Sequence, residues 1–404
     1  MNTPISASDR PDSIPVLRLL PKANARAIRR GAPWVFDNEL VMDRRTRKIA
    51  PGTIAVLEDH DREAMGVVAV NPTSKIVARM LDRNPLAVID RDWLFAKLTK
   101  AVAMRDRMYD KPFYRLVHAE GDGLPGVIID RFGDTAVIQP NAAWAEMLIE
   151  DLADALMAAT GVANVLKNSA GRGRTLEGLD DVSTVLRGVA PDAAVPVEMN
   201  GAIYMADLTG GQKTGLFFDQ RDNHAFAARL SGESSVLDVF SHVGGFALAA
   251  LANGAKSALA VDGSAPALEL AAEGAKRMDK VLDTRQGDAF DVMSALADEK
   301  RKFDVVICDP PAFAPSKPTL EKGLRAYERI ARLAAALVKE DGYLVLCSCS
   351  HAADTNAFTG ACLRGIGRGG RRAQLLHTGT AGPDHPLLPQ LAESGYLKAL
   401  FFRL

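Results

Sequence analysis

From Ser235 onward, apolar strand-like runs alternate with helix-like stretches to the end of the chain, and no other feature restricts the fold as much. "SVLDVF" passes through the turn "SHVGG" into "FALAALANG", and "SALAVDGS" passes into "APALELAAEGAKRMD". "DTRQGDAF", "FDVVICDPP" and "GYLVLCSCS" continue the series, with "LRAYERIARLAAALVKE" between the last two. Strands joined through helices require right-handed crossovers and a parallel sheet covered on both faces. Ligands of such sheets sit at the carboxyl ends of the strands. The last two β-like pieces, "RRAQLLHTG" and "GYLKALFFRL", are joined by a Pro- and Gly-rich loop with no room for a crossover helix, which predicts an antiparallel terminal hairpin.

Upstream the pattern differs. Residues 1–14 are polar and read as a flexible tail. Over 15–84, short β-type runs such as "GTIAVLED", "AMGVVAV" and "KIVARML" are separated by Gly, Pro, Asn and Asp, which predicts a small all-β domain. Residues 85–190 mix the helical "DWLFAKLTKAVAMRDRMY" and "WAEMLIEDLADALMAATG" with the strands of "GVIIDRFGDTAVIQP", an α+β middle domain. With 191–404 as the strand–helix series, the chain is a multidomain α/β protein, as 404 residues would suggest.

Forty-nine basic residues against fifty acidic ones leave a net charge of -1, so any site for a polyanion must be local. Between Val16 and Lys48 there are nine Lys and Arg against three acids. Arg26, Arg29, Arg30, Arg44, Arg45, Arg47 and Lys48 are the candidates there for phosphate contact, the alternative being an ordinary solvated face. The four cysteines, Cys308, Cys347, Cys349 and Cys362, all fall in the last quarter, unlike a disulfide framework, and fit a reducing cytoplasm. The start lacks a basic-then-apolar signal and no run approaches the roughly 18 apolar residues of a membrane span, so a cytoplasmic protein without a membrane partner is expected. No Cys-x-x-Cys or paired histidine spacing suggests a metal.

Acids recur where the strands end. Asp238 lies within the first strand, Gly244 and Gly245 open the next helix, and Asp262 ends the second strand at a distance suited to gripping ribose hydroxyls. The glycine pair alone could be only a tight turn. Asp288 of "GDAF" ends the third strand, beside an adenine ring if a nucleoside cofactor binds. In "CDPPAF" two prolines stiffen the loop that carries Asp309 and Phe313, a device for stacking a flat base and bonding its exocyclic amine.

In this order "DVFSHVGGF", "VDGS", "GDAF", "CDPPAF" and "CSCS" resemble class I S-adenosylmethionine-dependent methyltransferases. More narrowly, "PWVF" (33–36), "EGDGLPGVIIDRFG" (120–133), "QKTGLFFDQRDN" (212–223) and "DHPLLPQLAESGYLK" (384–398) resemble the bacterial 23S ribosomal RNA cytosine-C5 methyltransferase family, whose members begin with a PUA domain. The resemblance, which runs from about Val16 to the C-terminus, implies a PUA-like RNA-binding domain, the α+β middle domain and a Rossmann-like methyltransferase domain closed by the hairpin. It implies S-adenosyl-L-methionine as cofactor, held at Asp238, Phe240, Gly244, Asp262, Asp288 and Asp309, with Asp219, Gln220 and Arg221 beside the pocket. Ribosomal RNA is the implied partner, contacted also by Lys213 and Phe313, and a homodimer is a further option. Phe240 and His242 replace the first two glycines of the general D-x-G-x-G-x-G loop, so a differently shaped loop is expected; His242 stands where relatives carry tyrosine.

C5 of cytosine is a poor nucleophile until a thiolate adds to C6. The family pattern puts the recurring thiol at Cys349, with Cys347 two residues earlier and, on a strand, on the same face. Both being inert packing residues is the plain alternative, and Cys308 and Cys362 are read that way. Asp309 is the candidate for orienting the base through its amino group, and His351 is a weaker candidate for tuning the thiol. A nitrogen-directed nucleic-acid methyltransferase and a non-catalytic RNA-binding assembly factor remain the competing readings.

Overall fold

The computed structural model describes residues 14–210 and 215–404. The tail expected over 1–14 therefore lies almost wholly outside the described residues, as does Lys213. The chain forms two compact units, one of residues up to Ala190 with Asp384–Ser394, the other of Pro191–Pro383 with Gly395–Leu404. Residues 384–394, expected within the C-terminal domain, thus group with the first unit. Asp384 is the cause: its carbonyl accepts from the Arg105 guanidinium at 2.8 Å and its carboxylate from the Arg115 amide at 3.0 Å.

The first unit has two sheets. In the N-terminal one the strands Val16–Arg18, Ile54–Glu58, Ala64–Val70, Ile76–Asp82 and Trp34–Phe36 lie side by side in that order. All pairs are antiparallel except Val16–Arg18 with Ile54–Glu58. Leu17, Val35, Leu57, Val68 and Val77 form its core. The second sheet runs Thr184–Arg187, Asn164–Lys167, Thr135–Pro140, Val127–Phe132, Phe113–His118. Helices Arg91–Arg105 and Ile149–Thr160 contribute Leu94, Leu98, Leu152 and Leu156 to its core. The long helix expected from Trp144 is broken at Leu148 into two pieces. Arg79 links the sheets, its guanidinium meeting Glu120 at 3.3 Å and Glu177 at 2.9 Å while the Trp34 indole donates to Glu120 at 2.8 Å.

The second unit opens with the hairpin Val195–Met199/Ala202–Ala206 and the helix Arg221–Arg229. Then follow β1 (Ser235–Val239), α1 (Gly245–Ala252), β2 (Ser257–Asp262), α2 (Ala265–Arg277), β3 (Asp283–Gln286), α3 (Ala289–Asp298), β4 (Phe303–Cys308), α4 (Leu320–Leu337), β5 (Val338–Ser348), α5 (Thr355–Arg368), β6 (Gln374–Gly379) and β7 (Lys398–Arg403). Their order is β3-β2-β1-β4-β5-β7-β6; β1 to β5 are parallel, and β7 is antiparallel to both neighbours. The expected terminal hairpin is present, inserted so that β7 rather than β6 meets β5. The central strands β1, β2 and β4 are largely apolar because both faces are covered, whereas β3 and β6 are polar or exposed. Leu237, Val239, Val306, Leu344, Leu346 and Phe402 share one core with the helices. Among the described residues no helix is long and apolar enough to cross a membrane, and no group of three or more His, Cys, Asp or Glu side chains is placed to hold a metal ion.

Candidate functional site

The register aligns the carboxyl ends of the central strands, with Val239 beside Cys308, Cys308 beside Leu346, and Ser348 beside Lys398. Asp238, one residue before the end of β1, is fully buried. Its Oδ2 accepts the Ala247 amide of α1 at 2.9 Å, and its Oδ1 has no hydrogen-bond partner. Burial, with the Asp262 charge as a minor contributor, pushes this carboxyl up to about 7.

The loop after β1 corrects one expectation. Phe240, His242 and Gly244 have φ of 63°, 50° and 82°. Phe240 and His242, at two positions that are glycine in the general loop, thus hold a left-handed backbone that glycine adopts without strain. For Phe240 and His242 this conformation costs about 1–2 kcal/mol each, and tertiary bonds hold it. The Ser241 amide donates to the Val261 carbonyl at 3.0 Å and the His242 amide to Asp262 Oδ2 at 2.9 Å. Asp262 Oδ1 accepts the Ser264 amide at 2.8 Å, so this carboxylate ties the loop to β2. Gly245 allows a close approach: a Cβ there would stand 2.7 Å from His224 Nε2. Burial, followed by the Arg221 charge, pushes His224 down to about 3 and keeps it neutral.

Asp288 is exposed and caps α3, accepting the amides of Phe290 at 2.9 Å and Asp291 at 3.2 Å. Asp309 follows β4, and burial together with the Asp219 charge pushes it up to about 8. Gln220 Oε1 accepts from Asn223 at 2.7 Å while its Nε2 is buried without a hydrogen-bond partner, and Asp219 accepts the Tyr396 hydroxyl at 2.7 Å. Asp219, Gln220 and Asp309 are thereby brought together, and Arg221 is buried at the start of its helix.

The two thiols separate by burial. Cys347 lies within β5, is 1% exposed, and burial beside Asp309 raises its thiol well above the ordinary value. Cys349 follows the last residue of β5 and is half-buried. Its neighbours hold it: Ser348 Oγ donates to Tyr327 Oη at 2.9 Å, Tyr327 Oη and Ser350 Oγ lie 2.7 Å apart, and Ser350 Oγ accepts the Ala314 amide at 2.9 Å. The S-C-S segment and the "DPPAF" loop are thus one hydrogen-bonded structure centred on the Tyr327 hydroxyl. Phe313 belongs to the same cluster, its ring 5.1 Å from Tyr327 and 6.5 Å from Phe240. Cys308 and Cys362 are buried in the core, and His351 is exposed.

Sequence reasoning gave no role to Tyr327, Tyr396, His224 or Lys398, although "GYLK" had marked two of them. A cleft of about 710 Å³ in this unit is lined by Asn200, Phe226, Arg229, Asn253 and His377 and by none of the strand-end acids. In the first unit Arg26, Arg30, Arg44, Arg45, Arg47 and Lys48 are exposed. Arg29 differs from the others in being paired with Asp59, a carboxylate that is nearly inaccessible.

Two unpartnered buried oxygens, Asp238 Oδ1 and Ser241 Oγ, flank the left-handed loop. They suit a ligand that brings hydrogen-bond donors, as the ammonium and ribose hydroxyls of S-adenosylmethionine do. Residues 17–83 match the model of a PUA-like domain and residues 155–403 that of S-adenosylmethionine-dependent methyltransferases. The ribosomal RNA large subunit methyltransferase I of Aliivibrio fischeri strain MJ11 is 34% identical over 391 residues, covering 95% of this chain and 98% of that protein. The protein of the same name from Cronobacter sakazakii is 32% identical over 94% of this chain and 97% of its own length. A Streptococcus mutans structure described as a SAM-dependent methyltransferase superposes with a TM-score of 0.80 at 18% identity, over 97% of this chain and all of that one. A further methyltransferase structure, solved with S-adenosylhomocysteine, gives 0.81 at 18% identity over the same shares.

Proposed function

Because the chain belongs to the S-adenosylmethionine-dependent methyltransferases, and to the branch holding the ribosomal RNA large subunit methyltransferase I proteins, we propose that it methylates large-subunit ribosomal RNA, forming 5-methylcytidine through Cys349. The observation that carries the cytosine-C5 reading is the half-buried Cys349 held by Ser348, Ser350 and Tyr327 against the "DPPAF" loop. Methylation of an amine needs no thiol at that position.

S-adenosylmethionine, when bound, supplies the methyl group. Asp238, Ser241 and the loop from Phe240 to Gly244 would hold its amino-acid end, Asp262 its ribose, and Asp288 with the neighbouring amides its adenine. The Cys349 thiolate adds to C6 of an extruded cytosine, which makes C5 a nucleophile. Loss of the C5 proton after methylation restores the double bond and releases the thiolate. Asp309, carrying a proton near neutral pH, accepts from or donates to the amino-pyrimidine edge and orients it, while Phe313 offers a ring edge to the base. Nucleoside mass spectrometry of unmodified large-subunit RNA incubated with protein and cofactor tests the reading. 5-Methylcytidine is expected, and a nitrogen-methylated nucleoside in its place would refute it.

Asp238 yields a prediction from its raised carboxyl. Below about 7 the free protein carries a proton there that a cationic ligand must displace, so affinity for S-adenosylmethionine should fall as pH drops from 8 to 6. Asp238→Asn should bind about 10–100-fold more weakly and lose that pH dependence, as calorimetry would show.

The exposed cations of the PUA-like domain support the RNA reading, and a ribosomal substrate implies work in the cytoplasm. Affinity for RNA should fall linearly in log–log form with salt, and Arg44→Glu with Arg45→Glu should shrink that slope by about 2 while weakening all sequences alike. An unchanged slope in filter binding would remove those two residues from the interface.

A further inference from the structure

Lys398 is a lysine that the fold hides. It is 5% exposed, although its apolar neighbours on β7 already fill the sheet. Its backbone pairs with Ser348, the residue before Cys349, and its Nζ donates to the carbonyl of Ser350, the residue after it, at 2.6 Å. The cysteine lies between those two anchor points. A second bond runs from Nζ to the Tyr396 carbonyl at 2.9 Å. An ammonium has three N–H donors, and these two bonds use two of them.

The charges of Lys398 and Cys349 act on each other across this gap. Burial pushes the lysine down to about 8, and Cys349 and then Asp354 pull it back. Asp354, Tyr327 and Cys347 are ionisable groups near the pair. Asp354 caps α5 by accepting the Ala357 amide at 2.7 Å, the Tyr327 phenol is raised by burial and feels the Cys349 charge, and Cys347 is held protonated by burial. Burying an ammonium is costly unless an anion compensates, and the two carbonyls supply only dipoles.

We propose that Lys398 is the positioning residue that keeps the Cys349 sulfur as a thiolate, a role that rests on the reading of Cys349 as the nucleophile. The S–H bond of Cys349 breaks and its proton passes to the neutral amine of Lys398, where an N–H bond forms. Two neutral groups become an ion pair with no change in net charge. When the sulfur adds to C6, the ammonium stays bonded to the carbonyls of Ser350 and Tyr396.

The experiment is the rate of Cys349 alkylation by iodoacetamide against pH in the full chain, followed on the Cys349 peptide by mass spectrometry. The wild-type profile should have its midpoint below the ordinary thiol value of about 8.5. Lys398→Met should raise the midpoint by about 1–3 pH units, and Lys398→Arg, which keeps the cation, should reverse most of that rise. A wild-type midpoint at or above 8.5 would overturn the proposal even if Lys398→Met did not fold. So would a Lys398→Met protein that binds S-adenosylmethionine normally and keeps the wild-type midpoint. Alkylation needs no RNA, so the two readings fail separately. A low midpoint without 5-methylcytidine would sink the proposed function and leave the ion pair standing; 5-methylcytidine with an ordinary midpoint would do the reverse.

Discussion

Cys349→Ala is expected to lower the formation of 5-methylcytidine by on the order of 10³-fold or more while leaving the binding of S-adenosylmethionine unchanged. The size follows from the chemistry: without addition at C6 the ring keeps its aromatic electrons and C5 has too little nucleophilicity to take the methyl group. Cys347→Ala is the matched control. Its thiol is 1% exposed and packed within the sheet, so its loss should cost about 1–2 kcal/mol of stability with turnover changed only several-fold. RNA carrying 5-fluorocytidine at the target offers a second readout, because the fluorine cannot leave as a proton does. Wild-type protein should form a complex that survives denaturing electrophoresis, and Cys349→Ala should not. If the alanine variant kept its product, or if Cys347→Ala lost it, the assignment of the nucleophile would fall.

Much of this site could be read from sequence because the strand–helix period fixes where strands end, and Asp238, Asp262 and Asp309 are all at or near such ends. What could not be read depends on partners distant along the chain. The shape of the loop at Phe240 and His242 is set by amides bonded to Val261 and Asp262, and residue type alone suggested a different backbone. Cys347 and Cys349 share a face in any strand, so only the termination of β5 at Ser348 separates a buried thiol from an accessible one. Lys398 lies beside Ser348 and bonds the Ser350 carbonyl because β7 is inserted between β5 and β6, a sheet order that periodicity does not encode. Arg29 is exposed like the other cations, but its pairing with the nearly inaccessible Asp59, thirty positions further on, is a tertiary contact that the charge run does not show. The three-residue strand Trp34–Phe36 was too short to show a pattern at all.

Arg105→Met should destabilise the first unit by about 3–5 kcal/mol. The Arg105 side chain has no exposed surface, and its guanidinium makes four hydrogen bonds. Nη1 and Nη2 donate to the two oxygens of Asp122 at 2.6 and 2.8 Å, Nε donates to the Arg115 carbonyl at 2.9 Å, and Nη2 also donates to the Asp384 carbonyl at 2.8 Å. One side chain therefore joins the helix Arg91–Arg105, the strand Phe113–His118, the "EGDG" turn and the returning "DHPLLPQ" segment, which explains physically why those two motifs stand out together. Methionine fills a similar volume but leaves the Asp122 carboxylate buried without its cation, and that orphaned charge is the larger part of the cost. In thermal unfolding the loss should appear as a fall on the order of 10 °C in the transition of this unit. Adding Asp122→Leu to Arg105→Met should recover most of it, since replacing both members of a buried pair by apolar residues is often nearly neutral. A single-variant loss below about 1 kcal/mol, the range of exposed ion pairs, would show that Arg105 is not the clamp its geometry describes.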